Sequence, residues 1–265
     1  MSFDELDKEM RIFETSNDQC VLPDIYMVAR IDGRGFTRLT REIHPFEAPF
    51  DPVFRDIMTE TVGHLMNCGF EVIYGYTQSD EISLLFQRNT NVFGRKIRKY
   101  NSILAGEASA CFSVRLGMAV AFDCRISQLP TKTRVVEYFT WRQVDAHRNA
   151  LNAHCYWLLR KEGDSTSKAT STLNGMSVSN KNELLFRRGI NFNDLPNRQK
   201  RGTGLYWEYY EKQGFDPKKH VSVTTTRRRL TANHDLPMGD KYQAMIATFC
   251  SELIRQRKGE SDGNE

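Results

Sequence analysis

Three carboxylates stand where chemistry can use them. Asp32 closes the apolar run Ile25-Tyr-Met-Val-Ala-Arg-Ile-Asp32 and precedes Gly33, and Asp80 and Glu81 interrupt the apolar stretch Tyr74–Phe86. Each acid lies at the tip of a strand candidate, so two strands packed in one core would bring the tips together. Carboxylate and carbonyl oxygens are hard donors and suit Mg²⁺, the ion used with phosphates. Such a site performs phosphoryl or nucleotidyl transfer, with two ions roughly 3.5–4 Å apart. Asp32 and Asp80 fit the metal-holding role, and the Gly33 carbonyl adds an oxygen that no side chain crowds. Glu81 either tunes the pair or coordinates through water. The same residues also fit a plainer reading, in which Asp32 caps a turn and Asp80-Glu81 is a solvated hairpin end.

Basic and polar residues supply candidate partners for phosphate. Arg95, Lys96, Lys99, Lys181 and the 198–201 cluster could contact a triphosphate or an RNA backbone. Basic residues near the start of a helix over 91–116 oppose its dipole, a penalty that an anionic partner would relieve. Ser79 offers a hydroxyl to phosphate. His147, beside Asp145 and Asn149, suits a structural polar role as well as catalysis. The other histidines form no zinc set, and there is no Gly-x-x-x-x-Gly-Lys-Ser/Thr loop and no serine elbow.

The totals narrow the class. With 265 residues, the chain can bury one substantial core. Its six cysteines show no Cys-x-x-Cys spacing, which argues against a zinc ribbon or a disulfide framework. A net charge of +4 permits an RNA partner without demanding one. The N-terminus is acidic and no segment approaches about 18 uninterrupted apolar residues, so the expectation is a cytoplasmic protein with no membrane anchor.

The elements that must position the acids follow from periodicity. An amphipathic helix is expected over 2–14, with Phe3, Leu6, Met10 and Phe13 at helical spacing. A central strand covers 25–32, and Gly33 and Gly35 turn the backbone before a short helix starting at Phe36–Leu39. Prolines at 45, 49 and 52 mark a loop ahead of a helix over 53–67. Strands at 70–76 and 82–86 flank a tip at 77–81. Helices follow at 91–116 and 135–160, with a strand at 118–123 between them. Residues 162–180 read as a mobile loop, 181–186 as a short helix and 197–204 as a basic turn. The aromatic stretch 205–210 precedes a basic section with Lys218, Lys219 and Arg227-Arg-Arg229. A helix at 240–257 and a frayed end at 259–265 complete the chain.

Arg30-Ile-Asp32-Gly33-Arg34-Gly-Phe36, Gln78-Ser79-Asp80-Glu81 and Trp141-Arg142-Gln143 with His147-x-Asn149 together resemble the tRNA(His) guanylyltransferase family. Lys181-Asn182-Glu183 and Lys200-Arg201-Gly202-Thr203 add weaker matches, and the blocks span roughly residues 10–210. The resemblance implies an α/β (α+β) fold, a polymerase palm-like, ferredoxin-like antiparallel sheet with packed helices and C-terminal extensions. It divides the chain into a palm-like catalytic region at 1–135 and an extension at 136–265, packed as one unit. It implies two Mg²⁺ ions held by Asp32, Gly33 and Asp80, with Glu81 as the companion acid. Nucleotide or phosphate contacts are implied at Arg30, Gly33, Arg34, Gly35, Phe36, Ser79, Arg95, Lys96, Lys99, His147 and Asn149. Contacts to tRNA are implied at Arg142, Lys181, Asn182, Lys200 and Arg201.

In the family's chemistry, ATP or GTP activates a 5′-monophosphorylated tRNA end, and an incoming nucleoside triphosphate then attacks it through its 3′-hydroxyl. The family's tetramer is implied as well. One departure separates branches. The eukaryotic branch has His-Ile-Asn-Asn-Leu-Tyr-Asn where this chain has His147-Arg-Asn-Ala-Leu-Asn-Ala153, a variant that resembles the related repair branch. The expectation is therefore templated rebuilding of truncated tRNA 5′ ends, with guanylate addition to tRNA(His) as the runner-up. Two other readings compete. A nonenzymatic tRNA-binding protein would use the basic segments alone, and a palm-like cyclic-nucleotide synthase would need no RNA.

Overall fold

A computed structural model of the chain describes residues 1–44, 46–216 and 220–251. The elements run α1 (Phe3–Thr15), β1 (Tyr26–Arg34), α2 (Phe36–Arg38), α3 (Pro52–Leu65), β2 (Val72–Gln78), β3 (Glu81–Phe86), α4 (Ile97–Leu116), β4 (Ala121–Leu129) and α5 (Lys132–Lys161). They continue with α6 (Thr166–Leu173), α7 (Val178–Phe186), α8 (Asn197–Arg201), β5 (Thr203–Asp216), β6 (Val221–Asn233) and α9 (Asp240–Phe249). One antiparallel sheet carries them in the order β4-β1-β3-β2-β5-β6. Its first four strands, with α3 and α4, are the β-α-β-β-α-β unit of a ferredoxin-like palm.

Alternation along β1 decides what lies on each face. Met27, Ala29 and Ile31 bury against Ile57, Met58 and Val62 of α3 and Leu104, Ala108 and Phe112 of α4. Tyr26 and Val28 face the other way, into a second core with Val135, Tyr138 and Phe139 of α5 and Tyr242 and Ile246 of α9. A third core lies under the far half of α5, where Ala150, Leu151 and Cys155 meet Ala169, Leu173 and Leu185.

Several expectations are corrected. Residues 162–180 are not a loop over most of their length, because Ser165 and Ser177 cap α6 and α7, and Ala169 and Leu173 bury against α5. Gly33 does not turn the chain: β1 runs on to Arg34, and Gly35, at φ +74°, makes the turn. The hairpin tip is tighter than 77–81, since Gln78 already pairs with Glu81. Aromatic 205–210 and basic 227–229 lie on strands β5 and β6. Lys218, Lys219, the expected helix beyond residue 251 and the end at 259–265 lie outside the described residues. Among the described residues no helix is long and apolar enough to cross a membrane.

Candidate active site

The alternation that buries Val28 against α5 continues to Arg30 and Asp32, placing two charged residues on that face of the sheet. Asp32 pairs directly with Glu81 across β1 and β3, so these side chains rise together. Asp80 comes from the two-residue turn between β2 and β3. There the Gly33 N–H donates to the Asp80 carbonyl at 3.0 Å, stitching the hairpin tip to the end of β1. Ser79 holds φ +53°, a left-handed conformation that costs a non-glycine residue roughly 1–2 kcal/mol, and its hydroxyl donates to the Asp80 carboxylate at 3.0 Å.

The three acids do not share one environment. Glu81 is clamped by Arg142, whose Nε and Nη2 lie 2.7 and 3.1 Å from its two oxygens, and by Arg30 Nη2 at 2.5 Å. Burial nevertheless raises its pKa against the pull of both arginines. Asp80 is raised by burial and further by the charge of Asp32. Among the described residues no basic side chain bridges to Asp32 or Asp80. Two neighbouring carboxylates without a cation, beside a buried glycine, form an all-oxygen set that fits a hard divalent ion.

Gly33 earns its place by close approach. It is buried, not exposed, and a Cβ there would stand 2.4 Å from the Phe36 ring. That ring is itself held by Phe54, Phe112 and Phe122 and cannot retreat. Gly33→Ala is expected to destabilise the fold by about 1–3 kcal/mol, read from thermal melts. Phe36→Leu in the same chain should recover part of the loss, and no recovery would place the strain elsewhere.

A cleft of about 460 Å³ opens over the acids. Asp32, Asp80 and Glu81 form its floor with Arg30, Ser79 and Phe36, and α5 supplies Arg142, Asp145, Asn149, Ala153 and Trp157. Arg41, Arg55 and Arg198 also line it, opposite in charge to the acids. The Arg41 guanidinium lies over the Tyr156 and Trp157 rings, 5.0 and 5.8 Å from their centroids. Arg41, Arg55 and Trp157 escaped the sequence reading. Arg142, Asp145, Asn149, Ala153 and Trp157 recur every three or four residues, and that spacing was the available signal.

The structure does not bring every expected residue to the cleft. Arg95 lies at the opposite end of β1, where its buried guanidinium donates to the carbonyls of Val21, Ile25, Arg88 and Thr90. It pins that end of the fold, with four of its five N–H donors committed to carbonyls. The anion sought by the start of α4 is Asp18, which binds Lys96 at 2.7 Å and also Arg98. Lys99 sits on the same first turn, away from the cleft. Lys200 is buried and donates to the Asn193 carbonyl at 2.5 Å, so it holds α8 rather than reaching tRNA. Arg142 likewise clamps Glu81 from a buried position.

His147 packs edge-on against Phe192 outside the cleft lining. Burial, then Lys200 and Arg201, lower its pKa and favour the neutral ring. Asn149 lines the cleft and donates to Asp145 at 3.3 Å. Arg34 and Gly35 are exposed beyond it. On α7, Lys181 bonds Asn152 at 2.9 Å and Asn182 bonds the Val178 carbonyl at 2.9 Å, while Arg201 donates to the Leu236 carbonyl at 2.9 Å.

A ferredoxin-like sheet with paired carboxylates at adjacent strand tips under a basic cleft defines a palm-type nucleotidyltransferase. Residues 7–130 match the family described as tRNAHis guanylyltransferase, and residues 133–246 match the Thg1 C terminal domain. The chain belongs to the tRNA(His) guanylyltransferase family and is a nucleotidyltransferase.

The tRNA(His) guanylyltransferase of Debaryomyces hansenii is 34% identical over 235 residues, covering 83% of this chain and 88% of that protein. A probable tRNA(His) guanylyltransferase of Homo sapiens is 31% identical over 252 residues, covering 88% and 84%. A bacterial Thg1-like protein solved in complex with ATP superposes with a TM-score of 0.72 at 25% identity, covering 93% of this chain and 99% of its own. The same kind of protein solved with GTP gives 0.71 at the same identity and coverage.

Proposed function

We propose that the chain is an Mg²⁺-dependent 3′-to-5′ nucleotidyltransferase that rebuilds truncated tRNA 5′ ends on the template of the opposite strand. The observation carrying this reading is the pair Asp32 and Asp80, side by side without a bridging base among the described residues, under a cleft lined by Arg41, Arg55 and Arg198. Asp32, Asp80 and the Gly33 carbonyl would hold the ions. Bound Mg²⁺ lowers the pKa of an attacking hydroxyl and neutralises charge on a leaving phosphate.

The protein's own residues do the rest. Arg41, Arg55 and Arg198 orient the triphosphate and offset its charge, and Ser79 adds a hydroxyl donor. Arg30 and Arg142 keep Glu81 in place beside the acid pair. ATP or GTP, the nucleotides named for the solved bacterial relatives, activates the 5′-monophosphate and releases pyrophosphate. The 3′-hydroxyl of an incoming nucleoside triphosphate then attacks the activated phosphate and displaces nucleoside monophosphate. Pairing with the opposite strand selects the base, so the cleft need not read it.

Residues 1–135 serve as the palm-like region and 136–265 as the tRNA- and nucleotide-contacting extension. Lys181, Asn182 and Arg201 remain the tRNA contacts in this reading. A homotetramer follows from the family resemblance. A reducing, cytoplasmic setting suits six cysteines that are all free thiols.

A second reading, guanylate addition to tRNA(His), is favoured by the names of the curated relatives. The departures from the eukaryotic pattern at Arg148, Ala150, Asn152 and Ala153 weigh against it, and Ala150 and Ala153 both line the cleft. The test offers the protein Mg²⁺, all four nucleoside triphosphates and 5′-monophosphorylated tRNAs, intact or lacking one 5′ nucleotide. Templated extension of several truncated tRNAs is expected, and Asp32→Asn should abolish it. Extension confined to tRNA(His) would favour the second reading, and no extension of any end would overturn both.

A further inference from the structure

Among the described residues, two elements are left without a partner. Helix α1 begins with a complete capping box between Ser2 and Glu5, yet none of its residues is buried. Phe3 and Phe13 are 79% and 70% exposed. Phe3, Leu6, Met10 and Phe13 recur at the a and d spacing of a helix-packing seam. A lone helix of this length is marginal in water. An apolar seam on it needs a surface.

The second element is the outer part of the β5–β6 ribbon. β5 pairs with β2 only over Thr203–Tyr206, and the ribbon then runs on with β6 alone. No residue of β6 is buried, and Tyr210 and Val221 are 42% and 47% exposed. A two-stranded ribbon is itself marginal without a covered face. The register Tyr210↔Arg227, Lys212↔Thr225 and Gly214↔Val223 gathers Tyr210, Lys212, Val223 and Arg227 on one face.

We infer that α1 of one copy of this chain docks along that ribbon face of a second copy. It rests on the reading that the protein assembles with itself, and it assigns the surface. Charge selects the pairing. α1 carries Asp4, Glu5, Asp7, Glu9 and Glu14 against Lys8 and Arg11, so two α1 helices repel each other. That ribbon face has Lys212, Arg227 and Arg229 against Glu208. Size agrees, with a helix about 20 Å long against a ribbon extending about 34 Å past β2. Exchange of the same contact in both directions gives a closed two-fold pair.

Light scattering and sedimentation of the full chain test this. Met10→Glu puts a charge into the seam and should weaken self-association by more than about tenfold. Glu9→Arg, flanking the seam, and Arg227→Glu should each weaken it by about tenfold, and the two together should restore most of it. These side chains are exposed, so the thermal melt of the core should be unchanged, with any loss of circular dichroism confined to the helical signal of α1. A monomeric wild-type protein would overturn both the assembly reading and this contact. Association indifferent to all the variants would leave assembly standing and remove the contact. Loss of tRNA retention in Arg227→Glu with assembly intact would give the ribbon face to RNA instead.

Discussion

Asp80→Asn is expected to cut nucleotide transfer by about a thousandfold or more while the protein melts at the same or a higher temperature. The substitution keeps the size and the Ser79 contact but removes a negative charge. In the proposed function, losing one of the two carboxylates that would hold the metal forfeits several kcal/mol of transition-state stabilisation, and each ~1.4 kcal/mol is a factor of ten. The fold loses nothing comparable, because burial and the neighbouring Asp32 both make the Asp80 charge costly. Stability should be compared in chelator, where no ion offsets that repulsion. Transfer within about tenfold of wild type by a folded variant would remove Asp80 from the chemistry.

Arg142→Met is expected to be the more damaging change to the fold. The Arg142 and Glu81 side chains are 8% and 13% exposed, and the guanidinium also bonds Asp145 at 3.0 Å. Breaking one partner of a buried ion pair costs about 3–5 kcal/mol, because the remaining charge is stranded. Arg30 still reaches Glu81 and limits the damage, so the lower end of that range is expected from the denaturant midpoint. Arg142→Lys keeps the charge but loses the two-pronged geometry and should recover only part of the loss. Transfer should fall too, since Glu81 is the cross-strand neighbour of Asp32. An unchanged midpoint in Arg142→Met would show that the clamp is not stabilising.

Much of the palm was legible because its parts are local. The apolar run before Asp32, the helix ending near Leu65 and the two strands around Ser79-Asp80 announce themselves by period and punctuation. The ribbon was not legible in the same way. Its strands are exposed on both faces, so Val221-Ser-Val-Thr-Thr-Thr carries β-branched residues without an apolar alternation to mark it. Helix α6 was missed and α7 expected three residues late, because Ser, Thr, Asn and Gly look like a loop until the capping serines are seen to open helices.

The basic residues show the same division at the level of single side chains. Arg95, Lys96 and Lys200 read as phosphate ligands because a sequence displays charge without showing what already satisfies it. In the fold, backbone carbonyls occupy Arg95 and Lys200, and Asp18 occupies Lys96. Arg41 and Arg55 read as ordinary surface charges until the chain folds them over the acids.

By itself the sequence determined the acid pair, the strands that end in it and the family to which its motifs point. These depend on residue type and short spacing. Only the tertiary structure decided which carboxylates lack a cation, which arginines remain to face them and which apolar faces go uncovered. Those properties belong to distances between residues far apart in the chain. Burial and pairing act across such distances, and no local pattern encodes them.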